Sequence, residues 1–289
     1  MLDTVIDARN ADLGNGLWVR RVLPFAKRRM VGPFIFFDHA GPVTLPPEAA
    51  RQADVRPHPH IGLATVSYLL SGAVTHRDSL GVEQAIRPGD VNWMTAGRGI
   101  AHSERFDDPR AFAGAGLELL QSWVALPEVM EEAEPAFDHY PERSLPVANE
   151  AGVWMRVIAG DSFGLRSPVR TDSPLFYVHV AMQAGSRIGL PSGYPERAVY
   201  VVSGSVEFGA VVYPPGKMLV FTAGSEPSLR ALEASTVMLL GGEPLGERHI
   251  WWNFVSSRKE RIEQAKADWQ AGRIALPPND RDEFIPLPA

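Results

Sequence analysis

A set of turns that occurs twice constrains this fold most. Ser71-Gly72, Pro88-Gly89 and Thr95-Ala96-Gly97 reappear in the same order as Ser203-Gly204, Pro215-Gly216 and Thr222-Ala223-Gly224. In each copy nine residues separate the proline from the last glycine. Repetition of this kind implies two copies of one structural unit. Short strand-like runs lie around the turns, at residues 63–70, 83–87, 91–95, 117–124, 153–160 and 175–182. With 26 glycines and 25 prolines in 289 residues, the pattern reads as many strands joined by turns. The expectation is an all-β chain of two barrel domains, 1–145 and 146–289, connected through the acidic, proline-broken stretch 127–146. Residues 63–70 and 73–79 predict a hairpin through Ser71-Gly72. Ser257-Arg258-Lys259-Glu260 has the spacing of a capping box, and Ile262, Ala265 and Trp269 form one apolar helical face ahead of Gly272. That helix is assigned to the second domain, with an extended tail from Leu276 onward.

Chemistry-bearing residues crowd into one stretch of the first copy. Arg56-Pro57-His58-Pro59-His60 opens it, and Gly97-Arg98-Gly99-Ile100-Ala101-His102-Ser103-Glu104 closes it. Residues two apart on a strand share a face, so His58 with His60, and His102 with Glu104, can each aim two donors at one point. A lone His-x-His is more often a surface strand or a satisfied core pair. Here the second pair repeats the spacing of the first, and four of the eight histidines (His58, His60, His76, His102) fall in this stretch. Three imidazoles and one carboxylate suit a first-row transition metal better than calcium or magnesium. His76 stands in the return strand and reads as a cross-strand hydrogen-bonding residue, not a ligand. The second copy carries no equivalent set. Aligned on the matched glycines, His58 and His60 fall opposite Leu190 and Ser192, and His102 and Glu104 opposite Leu229 and Ala231.

Composition excludes several classes. A net charge of −6 offers no general basic footprint, and Arg20-Arg21 with Lys27-Arg28-Arg29 is interrupted by apolar residues and reads as a solvated face. No direct nucleic-acid partner is expected. The absence of cysteine excludes disulfides, thiolate ligands and thiol nucleophiles. No run reaches the roughly 18 apolar residues of a membrane span, and residues 1–7 lack the charged and apolar regions of a signal peptide. The expected setting is cytoplasmic, with no membrane partner.

Arg56 to His60, Thr65 to Gly72 and Pro88 to Glu104 together resemble the pirin branch of the cupins. Phe37-Asp38, Gly41-Pro42 and the run Gly241 to Gly246 extend the resemblance over almost the whole chain. The resemblance implies a bicupin of two jelly-roll barrels with a C-terminal helix and one divalent metal, normally Fe(II), in the N-terminal barrel. On the matching positions the ligands would be His58, His60, His102 and Glu104. Bacterial members are associated with quercetin 2,3-dioxygenase activity, which opens a flavonol with dioxygen and releases carbon monoxide; eukaryotic members are described as iron-dependent co-regulators. Many cupins place a glutamate shortly after the His-x-His, whereas this chain has Ala64 there.

The implied substrate is therefore an aromatic, enol-bearing small molecule together with dioxygen. Glu104 is the candidate catalytic proton acceptor. Trp93, Gln121 and Trp123 are candidate pocket-lining residues, weighed against ordinary core packing. The rival reading is a redox-sensitive metal-binding regulator that acts through a protein partner, and a small-molecule isomerase is a third, because fold does not fix function.

Overall fold

The computed structural model describes residues 1–13, 17–108, 111–112, 114 and 116–288. Strands dominate them, with one α-helix of length, Lys259–Gln270. The chain divides into two compact units, neither continuous in sequence. One comprises Met1–Arg9, Arg20–Phe36 and Arg143–Pro244, the other Asn10–Val19, Phe37–Glu142 and Leu245–Ala289. The ends are thus exchanged relative to a simple cut near residue 145. Two physical demands account for this. The Leu2–Asp7 strand pairs antiparallel with Lys217–Phe221 and so covers an open sheet edge. The helix buries Ile262, Ala265 and Trp269 against Ile61, Ala101 and Phe254 of the first barrel, so it belongs there and not with the second.

The unit that contains the histidines has two large sheets and a two-stranded one, His249–Trp251 with Phe254–Ser256. In spatial order, one large sheet has strands Val55–His60, Ile100–Arg105, Val74–Asp78 and Glu83–Ile86. The other has seven, running Ala136–Tyr140, Val91–Thr95, Leu63–Ser71, Leu117–Ala125, Phe34–Val43, Trp18–Leu23 and Arg9–Asp12. Leu69, Leu117 and Leu119 from the larger sheet share one buried cluster with Val74 and Ile86 from the smaller. Side chains from two facing sheets interdigitate to make the barrel core.

Three sequence expectations need correction. Residues 63–70 and 73–79 are not hairpin partners. Leu63–Ser71 pairs with Val91–Thr95 and Leu117–Ala125, whereas Val74–Asp78 pairs with Ile100–Arg105 and Glu83–Ile86. The turn at Gly72, with φ of +85°, passes the chain from one sheet to the other, and Ala111 O lies 2.4 Å from where a Cβ would stand. The stretch 127–146 is also more than a connection, because Ala136–Tyr140 forms the outermost strand of the seven-stranded sheet. Finally, the capping box is not formed. The helix has Arg258 at its N-cap with no side-chain cap. The Ser257 hydroxyl instead donates to Glu131 Oε2 at 3.1 Å.

The other unit repeats the architecture, with a larger sheet beside a four-stranded one, Arg187–Gly189, Ser228–Ala231, Val206–Phe208 and Val211–Tyr213. At the positions matched to the donors, Leu190, Leu229 and Ala231 lie inside an apolar cluster with Val199, Val201 and Leu239. Packed hydrocarbon stands where the first barrel has its donors.

Glu131 shows how the first barrel holds its C-terminal segment. Only 3% exposed, it accepts hydrogen bonds from Ser256 Oγ at 2.7 Å and Ser257 N at 2.8 Å, and it faces Arg248 Nε at 3.1 Å. Removing one charge of a buried pair strands the other, at a cost of about 3 kcal/mol. Glu131→Gln should lower stability by that order in urea unfolding; an unchanged midpoint would remove this anchor from the account.

Candidate metal centre

The Val55–His60 strand is at the edge of its sheet, which is why it tolerates Pro57 and Pro59. It runs antiparallel to Ile100–Arg105 with His58 directly opposite His102. That register brings the two donor pairs together. Ring centroids lie 4.4 Å apart for His58 and His102, and 5.0 Å apart for His58 and His60 and for His60 and His102. One ring nitrogen from each of the three lies within 4.8 Å of the others. All three are buried, at 7%, 1% and 2% exposure for His58, His60 and His102.

Hydrogen bonding fixes which nitrogen faces inward. His58 Nδ1 donates to the carbonyl of Arg56 at 2.9 Å, and His60 Nδ1 to that of Asn253 at 3.2 Å. A carbonyl only accepts, so both Nδ1 atoms carry the proton and both Nε2 atoms present lone pairs. His102 Nε2 is buried and has no hydrogen-bond partner. An orphaned buried nitrogen beside two bare Nε2 atoms is what a divalent transition metal would satisfy, so the donors fit such an ion.

Burial sets the charges. It pushes His58 down to about 4, with the Arg56 carbonyl opposing the effect and the neighbouring His76 imidazole adding to it. His60 and His102 are held well below the usual histidine range, first by burial and then by neighbouring imidazoles. All three are therefore neutral at neutral pH, the form in which imidazole binds a metal. Burial also raises Glu104, to about 7. Its backbone sits opposite His76, and the register with Val55–His60 shifts between His102 and Glu104. The three imidazoles come together without Glu104, which stands half-buried beyond that irregularity.

The pocket residues separate into two groups. Trp123 packs edge-on against His60 at 5.1 Å. Gln121 shares its face, since Trp123 pairs with Thr65 and Gln121 with Ser67, whose hydroxyl donates to Gln121 Oε1 at 2.8 Å. Trp93 is corrected. It pairs with Val66, which also faces Ser122, and those residues alternate with the Thr65 and Ser67 positions. Trp93 therefore points to the opposite side of the sheet, away from Trp123. Its neighbour Met94, opposite Thr65, takes the inward place.

Sequence reasoning missed Asp78, Phe137 and the Asn253 carbonyl. Asp78 Oδ2 lies 2.9 Å from His76 Nε2, His76 Nδ1 lies 3.4 Å from His102 Nδ1, and Phe137 stacks on His76 at 4.4 Å. The spacing rule that picked out the donor pairs would also have picked out His76-x-Asp78. A cleft of about 1200 Å³, lined by Arg143, Arg166 and Arg170 among others, belongs to the other unit and includes none of these residues. Among the described residues, no helix is long and apolar enough to cross a membrane.

Comparison with known proteins identifies the family. Residues 16–124 match the family model described as Pirin, and residues 177–275 that of the Pirin C-terminal cupin domain. A Pirin-like protein of Caulobacter vibrioides is 54% identical over the whole length of both chains. Pirin of Homo sapiens is 31% identical, over 91% of this chain and 90% of that one. Among solved structures, a crystal structure of quercetin 2,3-dioxygenase from Acinetobacter baumannii superposes with a TM-score of 0.90 at 33% identity, covering 99% of this chain and 95% of that one. With both family domains matched in order and relatives aligned along nearly its full length, this chain belongs to the pirin family of cupins.

Proposed function

We propose that this chain is a metal-dependent dioxygenase of flavonol-like substrates, of the quercetin 2,3-dioxygenase type. It would hold one Fe(II) through His58, His60, His102 and Glu104. The observation that carries this reading is the convergence of three buried, neutral imidazoles on one point, with the Nε2 of His102 left partnerless and Trp123 packed alongside. The solved relative named for this activity lends support.

The bound metal supplies Lewis acidity that lowers the pKa of a coordinated substrate hydroxyl. The chain supplies the rest. Trp123 offers an aromatic edge to a flat substrate, and Gln121 an amide on the same face. Glu104, which burial raises to about 7 in the metal-free chain, would take the enolic proton onto a carboxylate oxygen. In the overall reaction both atoms of dioxygen enter the opened ring and one ring carbon leaves as carbon monoxide.

Three expectations follow for the purified protein. Elemental analysis should give one transition metal per chain, since Leu190, Leu229 and Ala231 fill the matched places in the other unit; two ions per chain would defeat the single-site reading. Glu104→Gln should weaken metal binding at least about tenfold and abolish turnover while leaving the thermal transition of the metal-free protein in place. Near-wild-type oxygen uptake by that variant would take the proton-accepting role away from Glu104. Aerobic incubation of the iron-loaded protein with quercetin should bleach the flavonol absorbance and release carbon monoxide, and His60→Ala should do neither. If both proteins are equally inert toward quercetin and a panel of related enols, a regulatory metal-binding role replaces the enzymatic one.

A further inference from the structure

We infer that Asp78 and His76 form a positioning dyad that sets the tautomer of His102, keeping its Nε2 unprotonated and turned toward the metal. The inference rests on the metal reading for its purpose, but its geometry stands independently. Asp78 is fully buried at the end of its strand. Its Oδ1 accepts the backbone N–H of Leu80 at 2.9 Å and of Val82 at 3.2 Å, and its Oδ2 lies 2.9 Å from His76 Nε2. A carboxylate holding those contacts only accepts, so His76 carries its proton on Nε2. A ring that carries its one proton there has a lone pair on Nδ1, which faces His102 Nδ1 at 3.4 Å. Two lone pairs would repel there, so His102 brings the proton on its own Nδ1. Its Nε2 is left bare, and that is the buried nitrogen with no partner in the protein.

The surroundings hold this chain of donors in place. Phe137 stacks on His76 with ring planes 19° apart. Asp78 lies directly across from His102 in the strand register, and His76 across from Glu104. Arg77, between them, turns the other way and pairs with Asp107 at 2.7 Å. The other two imidazoles are oriented by backbone carbonyls, which no side-chain substitution removes. His102 alone among the three depends on side chains for its tautomer, so a single substitution can reverse it.

Asp78→Asn makes the test. Its side-chain oxygen would keep the Leu80 and Val82 contacts and turn the amide NH2 toward His76 Nε2. His76 would then move its proton to Nδ1, and His102 would move its own to Nε2, the nitrogen meant for the metal. Nitrogen-15 NMR of the metal-free proteins should show His102 protonated on Nδ1 in wild type and on Nε2 in Asp78→Asn. Zinc(II) titration by calorimetry should show affinity reduced ten- to a hundred-fold, with a folded thermal transition for both. Asp78→Asn that keeps Nδ1 protonation and wild-type zinc affinity overturns the dyad. If that variant does not fold, His76→Gln decides: mixed His102 tautomers and weaker zinc binding support the dyad, and an unchanged His102 with unchanged affinity overturns it. Wild type that takes up no zinc yet shows Nδ1 protonation of His102 sinks the metal reading and leaves the dyad standing.

Discussion

The antiparallel pairing of Val55–His60 with Ile100–Arg105 is the constraint on which the site depends. It removes three imidazoles from water at once, and that desolvation is what forces them neutral. A buried neutral imidazole still has one donor and one acceptor to satisfy. The fold answers the donor of each ring with a carbonyl or with the His76 lone pair and leaves the acceptors pointing at one another. The outer face of the same strand pair is pinned as well. Ser103 and Arg105 are held by Asp280, Arg105 also by Asp54 and Glu283, and Ile285 N donates to Pro57 O at 2.8 Å. Burial opposes the charge on Arg105, and those carboxylates more than offset it, holding the guanidinium above its usual range. The last residues of the chain therefore brace the backbone of both donor-bearing strands from behind.

The other unit shows what the same frame does without donors. Its turns fall in the same order, with the same nine-position step from the proline to the last glycine, and its four-stranded sheet pairs Ile188 with Leu229 where the first barrel pairs histidines. Hydrocarbon needs no hydrogen-bond partners, so at the places of the donors this barrel is filled by packing. The repeat preserves backbone geometry, because turns depend on glycine and proline, while the interior is free to become either a polar centre or a dry core.

Features that depend on local spacing were legible in the sequence. The donor pairs, the repeated turns and the Ile262, Ala265 and Trp269 stripe each follow from a period of two, a fixed turn residue or a period near 3.6. Features that depend on which distant strand lies alongside were not. Leu63–Ser71 is buried along most of its length and finds partners on both sides, so adjacency to Val74–Asp78 said nothing about pairing. Ala136–Tyr140 was hidden because an edge strand beside acidic residues and prolines looks like a linker. Trp93 looked like a pocket residue because aromatic character was legible and sheet face was not; a one-residue difference in register decides the face. Ser257 was read as a cap, but Glu131, more than a hundred residues away in sequence, competes for its hydroxyl.

The four proposed ligands are not equivalent, and the backbone is the reason. His58, His60 and His102 sit in a continuous register with their second nitrogens tied. Glu104 follows the point where pairing with the edge strand slips, so the strand that fixes His102 against His58 does not fix Glu104 in the same way. In the metal-free chain burial raises its carboxyl to about 7, whereas the same burial lowers the imidazoles. A rigid neutral trio holds an ion in place without exchanging protons with the substrate. A carboxylate set apart from the trio by a bulge can hold or release a proton without disturbing them. In the proposed enzyme the break in strand pairing would separate holding the metal from moving the proton, two tasks that one rigid, uniformly tied set of ligands would perform poorly together.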